Sequence, residues 1–208
     1  MINKSLNFVC IVPARAGSKS LKNKNLLKLK DKSLVENTLD FAENLKIFER
    51  IILSSDANKI LNLGAKYNNL ILHKRSKINS KDQSSTEDVI NEVIDYYNLN
   101  HQYLFILEPT SIFRSKKTFK KILKLTRSYS PPSIVSVIGD KNINIKVSKN
   151  KISINLNKVP RRRQERKKNF KLASNFWVVK LAYFKKFRNL VSKNPYFIEI
   201  SPKESIDI

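Results

Sequence analysis

The 208-residue chain is expected to fold as an α/β domain, with a mostly parallel sheet and helices on both of its faces. Two observations predict this. Short apolar runs alternate with helical patterns from Phe8 to Ile138, the rhythm of strand–helix–strand units. The runs themselves are apolar throughout rather than alternating, as strands covered on both faces require. Phe8–Val12 reads as the first strand, and a helical pattern beginning near Ser33 continues over Leu34–Leu45. Arg50–Ser54, with Ile51-Ile52-Leu53, is a second buried strand. Ala57–Tyr67 reads as a helix and Leu70–Leu72 as a short strand. Thr86–Tyr97 is a helix with Ser84 and Ser85 as caps, since hydroxyls satisfy the first free N–H groups of a helix. Tyr103–Leu107 is a strand, Lys116–Tyr129 a helix begun after Ser115, and Ser133–Ile138 a further strand.

After Gly139 the rhythm changes. Ile143–Val147 and Ile152–Leu156 alternate apolar with polar around Lys149-Asn150-Lys151, which predicts an antiparallel hairpin reaching off the sheet. Arg161–Lys171 then carries seven cationic residues against Glu165 and reads as a loop ordered by a ligand. Phe176–Val179 returns to strand and Ala182–Leu190 to helix. The whole is expected to be one domain over residues 1–208, with 140–175 as an excursion and a candidate dimerisation arm.

Composition narrows the function classes. No run of about 18 apolar residues exists, which excludes a membrane-spanning helix. The start of the chain lacks the apolar core of a signal peptide, and the single Cys10 lies inside the first strand, so a reduced cytoplasm is expected. The net charge of +24 would suit a nucleic-acid binder, but the lysines are spread over the whole chain rather than gathered in one stripe. That spread argues against nucleic acid as the partner. A positive cleft also suits an enzyme of acidic substrates.

The loop leaving the first strand is the most informative segment. Val12-Pro13-Ala14-Arg15-Ala16-Gly17-Ser18-Lys19 is followed by Lys22, Lys24 and Asn25. It stands where ligands bind in open α/β sheets, beyond the carboxyl ends of the strands. Four cationic side chains, one glycine to let the backbone come close and one serine to donate make an anion site, fit for a nucleoside triphosphate. The chain has only Gly17, Gly64 and Gly139, so neither G-x-x-x-x-G-K-S/T nor G-x-G-x-x-G can be built.

The same loop resembles the signature I/V-P-A-R-x-G-S-K-x-x-x-x-K-N of the cytidylyltransferases that activate nonulosonic acids, the CMP-sialic acid synthetases. Val12, Pro13, Ala14, Arg15, Gly17, Ser18, Lys19, Lys24 and Asn25 fill every fixed position. The resemblance implies a Rossmann-like fold of the nucleotide-diphospho-sugar transferase type. It also implies a reaction of CTP with an acidic nine-carbon sugar that gives a CMP-sugar and pyrophosphate. It assigns Arg15 and Lys19 to catalysis at the triphosphate, and Ala14, Gly17, Ser18, Lys24 and Asn25 to the nucleotide. A homodimer is expected.

Five further segments, and Asn175, extend the resemblance. Glu108-Pro109-Thr110-Ser111-Ile112-Phe113-Arg114 stands where the family has Q-P-T-S-P-L-R, which places Glu108, Thr110, Ser111 and Arg114 near the sugar. Glu108 replaces a glutamine, and a carboxylate there repels an acidic sugar unless a cation pairs it. Ser54-Ser55-Asp56 and Asp82-Gln83-Ser84-Ser85-Thr86 resemble S-T/S-D and D-x-S-S-T, so Ser84 lies by the nucleotide or, like Asp56, caps a helix. Arg162-Arg163-Gln164-Glu165 resembles R-R-Q-D, and with Asn175 it supplies Arg162, Gln164 and Asn175 to the sugar side. Ser205-Ile206-Asp207-Ile208 falls on the family's I-D-I-D, whose aspartates bind the divalent ion. Asp207 is therefore the expected Mg²⁺ ligand, at a site weakened because the given sequence stops one position before the second aspartate. Two other readings stay open on the residues alone: a non-catalytic homologue that binds nucleotide or polyanion, and a basic nucleic-acid-binding protein.

Overall fold

The computed structural model describes residues 6–17, 21, 23–81, 83–142, 146–148, 151–153, 160 and 162–208, with backbone only for 146–148 and 151–153. In chain order β1 spans Phe8–Pro13. The miniature hairpin β2 (Lys28–Leu29) and β3 (Lys32–Ser33) leads into α1 (Leu34–Asn44). Then come β4 (Arg50–Ser55), α2 (Asn58–Gly64), β5 (Leu70–Lys74), α3 (Thr86–Tyr96), β6 (Tyr103–Ile106), α4 (Lys116–Tyr129) and β7 (Ser133–Asp140). The pair β8 (Lys146–Ser148) and β9 (Lys151–Ser153) precedes β10 (Asn169–Lys180), α5 (Leu181–Phe187) and β11 (Tyr196–Glu199).

Among the described residues, a seven-stranded sheet runs in the order β11-β7-β10-β6-β1-β4-β5. Its neighbours are parallel except around β10, which is antiparallel to both β6 and β7. The side chains of β1 show why its sequence is continuously apolar. Phe8, Cys10 and Val12 pack on one face with Val35 and Leu39 of α1, Ile60 of α2 and Phe119 of α4. Val9 and Ile11 pack on the other with Ile90, Val93 and Ile94 of α3 and Phe184 of α5. Cys10 lies fully within this core, and burial pushes its thiol far above the ordinary range, so it stays neutral.

The helix starts follow local chemistry. Ser33 accepts from the Glu36 amide while the Glu36 carboxylate accepts from the Ser33 amide, a reciprocal cap. Ser85 and Asp88 repeat it at α3. Ser115 caps α4, which has the bounds the sequence predicts.

Three expectations need correction, and a fourth is met. The helix expected over Ala57–Tyr67 ends at Gly64, where α2 approaches the sheet so closely that a Cβ would lie 2.6 Å from Leu72 and 2.7 Å from Leu70. The basic loop ends earlier than expected, because β10 begins at Asn169 and follows β7 for eight paired positions. A register shift between Ala173 and Trp177 conceals that long strand from a periodicity reading. The strand β11 has no counterpart in the sequence reading, since its four residues take their place only by pairing with β7. The hairpin past Gly139 is present as β8 and β9, while its outer expected residues 143–145 and 154–156 lie outside the described residues.

Candidate active site

The carboxyl ends of β1, β4 and β6 meet at one edge of the sheet, and the loop after β1 is fastened there. The Ala14 amide donates to the Ser54 carbonyl at 2.9 Å, continuing the β1–β4 ladder. The Ala16 amide donates to the Asp56 carboxylate at 2.8 Å. Asp56 therefore holds the loop rather than capping α2, whose N-cap residue Ala57 has no side-chain cap. The Asn25 carboxamide, buried, donates to the Arg15 carbonyl at 2.8 Å. That bond fixes the backbone of the loop. Among the described residues, nothing lies within 4 Å of where a Cβ of Gly17 would stand. Ser18 and Lys19 lie outside the described residues.

Sequence reasoning missed Arg75, which is buried at the end of β5. Its guanidinium donates to the Ser54 hydroxyl at 3.1 Å and the Ser54 carbonyl at 3.0 Å. Burial lowers it to about 10 against the attraction of Asp56 and Glu92, and nearby Arg15 lowers it further. Two guanidinium groups thus bring positive charge to one strand end. No local signal marks it, because it is one of several cations after Leu70–Leu72 and only the pairing of β5 with β4 buries it against Ser54.

The end of β6 supplies the other wall. The Ser111 amide donates to the Glu108 carbonyl at 3.2 Å, closing a turn around Pro109. The buried Ser111 hydroxyl donates to the Asp207 carboxylate at 3.3 Å, and the Ile208 amide to the Thr110 carbonyl at 3.3 Å. The Glu108 carboxyl is pushed up to about 6, by burial first and then by the like charge of Asp207; Arg114 and Lys24 pull the other way. That field places Lys24, from the first loop, beside the β6 end. Arg15, Lys24, Glu108, Thr110, Ser111 and Asp207 therefore share one crevice.

Other expected residues have different positions. The Arg114 guanidinium donates inward, to the carbonyls of Glu108 and Asn175 and to the Thr38 hydroxyl. It also lies 5.9 Å over the Phe176 ring. Its place is that of a clasp joining the β6 turn, β10 and α1. Asn175 is buried, and its amide donates to the carbonyls of Glu204 at 2.7 Å and Phe113 at 3.3 Å, which seats the segment carrying Asp207. The Ser84 hydroxyl donates to the Ile78 carbonyl, while Ser85 performs the capping expected of both. Arg162 and Gln164 are exposed, Gln164 within a single 3₁₀ turn, Arg163–Glu165, and Arg162 just before it. Because β10 is antiparallel to β6, that turn lies at the same sheet edge as the crevice, with Arg162 3.7 Å from Glu165.

The profile of the family described as Cytidylyltransferase matches residues 9–181, which takes in both walls of this crevice except Asp207. The chain belongs to the cytidylyltransferase family. Among curated relatives it is 29% identical over 146 residues to the N-acylneuraminate cytidylyltransferase of Escherichia coli O18:K1:H7, covering 64% of this chain and 34% of that protein. It is 31% identical over 138 residues to the CMP-N,N'-diacetyllegionaminic acid synthase of Legionella pneumophila, covering 64% of this chain and 58% of that one. These relatives bear out the resemblance to CMP-nonulosonic acid synthetases. The chain spans less than two thirds of the length of each. A CMP:2-keto-3-deoxy-manno-octonic acid synthetase solved with CTP superposes with a TM-score of 0.68 at 14% identity, covering 93% of this chain and 90% of that one. That likeness shows the fold of this cytidylyltransferase family member to be the one expected. No helix among the described residues is long and apolar enough to cross a membrane.

Proposed function

We propose that this chain transfers the cytidylyl group of CTP to a nonulosonic acid. The anomeric hydroxyl of the sugar loses its proton to solvent as its oxygen forms a bond to the α-phosphorus, the bond to the bridging oxygen breaks, and pyrophosphate leaves. The observation that carries the reading is the contact of Ser111 with Asp207, 96 residues apart in sequence. It unites two of the motif segments on the far side of the crevice from the cationic first loop.

Catalysis of this kind is positioning and charge neutralisation. Arg15 and Lys19 meet the triphosphate, and Lys19 stabilises charge developing at the α-phosphate. The backbone bonds from Asp56 and Asn25 hold the loop in place before substrate arrives. Asp207 is exposed and offers carboxylate oxygen, the donor that Mg²⁺ prefers. Among the described residues no cluster of three or more His, Cys, Asp or Glu forms, which suits an ion shared with substrate phosphates. Such an ion would neutralise phosphate charge, with Asp207 holding it.

We place the chain in the cytoplasm, where a lone buried thiol stays reduced. A homodimer is supported by exposed apolar residues at one edge of the sheet. Phe170 of β10 and Phe197 of β11 have ring centroids 5.4 Å apart over the intervening β7, with Leu172 also exposed. The test of the reaction is pyrophosphate release from CTP and Mg²⁺ with sialic, legionaminic or pseudaminic acid in turn. Release is expected with at least one acid and with CTP above ATP, GTP and UTP. No release with any acid would refute the proposal.

A further inference from the structure

Beside the crevice is a cavity of about 160 Å³, lined by Thr86 and Glu87 of α3, Glu108 past β6, Trp177 of β10, and Leu190 and Val191 past α5. It is well below the ~300–1,000 Å³ of a pocket that takes a whole ligand, so it fits a substituent and not a nucleoside. Its position is fixed by the sheet, because Trp177 pairs with Ile106, two residues before Glu108. Its lining is chemically uneven. An indole and two aliphatic side chains line it together with two carboxylates and a hydroxyl. Among the described residues, no Lys or Arg lines it.

Ionised carboxylates only accept hydrogen bonds. An occupant that suits this lining brings N–H donors, positive charge and a small apolar portion. The carboxylate of a sugar acid is repelled here by Glu87 and Glu108, and is drawn instead to the side of the crevice that carries Lys24 and Arg15. A cation over Trp177 gains further attraction from the ring face.

We propose that Glu108 is a specificity-determining residue, and that with Glu87 and Trp177 it selects a sugar acid bearing a cationic nitrogen substituent, an amine or an amidine. This rests on the cytidylyl transfer proposed above. A neutral amide side chain at position 108 would accept and donate equally and would favour a neutral acylamino group. Glu108 removes the donor and adds charge, which reverses that preference.

The test uses three sugar acids that differ at one position, carrying an amino, an acetamidino or an acetamido group. The kcat/KM for each is measured with the intact chain and with Glu108→Gln and Glu87→Gln. The wild type is expected to favour the two cationic substrates by about tenfold or more, and Glu108→Gln to bring that ratio to one or below. Glu87→Gln is expected to reduce the ratio less. A CTP-induced rise in melting temperature in each variant reports an intact fold. If the acetamido acid is the better wild-type substrate, or if both variants keep the wild-type ratio, the inference is overturned while the transfer reaction stands. If no acid yields a CMP-sugar, the proposed reaction falls and the inference with it.

Discussion

Arg114→Met separates a positioning role from a substrate contact. In the structure the guanidinium donates at 2.5 Å to the Glu108 carbonyl, 2.9 Å to the Asn175 carbonyl and 3.3 Å to the Thr38 hydroxyl. Hydrogen bonds from a charged group contribute about 1.5–3 kcal/mol each, and a buried carbonyl left unpaired costs about 1–3 kcal/mol. Methionine fills the space but takes a charged donor from both carbonyls, the Glu108 carbonyl keeping only the Ser111 amide. A loss of roughly 3–5 kcal/mol follows, after discounting the weaker 3.3 Å bond. At about 2–4 °C per kcal/mol for a chain of this size, the melting temperature should fall by roughly 6–20 °C. Arg114→Lys, which keeps the charge but not the fork, should fall between. Urea unfolding with an unchanged slope, read beside the KM for the sugar acid at low temperature, checks both roles. If Arg114→Met melts within about 2 °C of wild type while that KM rises tenfold, the guanidinium is a substrate ligand and the clasp reasoning is wrong.

Glu36 gives a pH dependence with a definite sign. Burial alone would raise its carboxyl, but the hydrogen bonds from Lys66 and Ser33 outweigh it and hold the group at about 2, against an ordinary 4.5. Its stabilisation is thus complete above about pH 5 and is lost as pH falls from 4.5 towards 2; Glu36→Gln should lose on the order of 2–3 kcal/mol at pH 7 and flatten the acid limb of a stability–pH curve. Asp207→Asn should raise the Mg²⁺ concentration for half-maximal rate by about tenfold or more, read by titrating the ion at fixed CTP. Lys19→Ala should slow transfer by on the order of 100- to 1000-fold with the melting temperature kept, measured as pyrophosphate release.

What the sequence shows of this molecule is what its local chemistry decides. The strands β1, β4 and β6 are legible because a strand covered on both faces is apolar at every position. The starts of α1, α3 and α4 are legible because a serine three residues before its partner is a local signature. Distant pairing is not. Asp56 looks like a cap from its neighbours, and only the fold brings it to Ala16, 40 residues away. Arg114 looks like a ligand until Asn175 and Thr38 come round to meet it. Arg75 is silent in sequence because its burial depends on Ser54 of the adjacent strand. β11 is too short to signal itself and exists by virtue of β7. The crevice was legible by position, since the loop after the first strand and the turn at the end of β6 both stand at strand ends. Which side chains face a ligand and which hold the frame was not.

The central claim is that the strand-end crevice transfers a cytidylyl group. Phosphorus NMR of the chain with CTP, Mg²⁺ and a nonulosonic acid tests it most directly. The expected result is a phosphodiester signal of a CMP-sugar growing in equal amount with pyrophosphate, and neither signal without the sugar acid. Unchanged CTP, or its conversion to CDP and inorganic phosphate with no phosphodiester, would contradict the account.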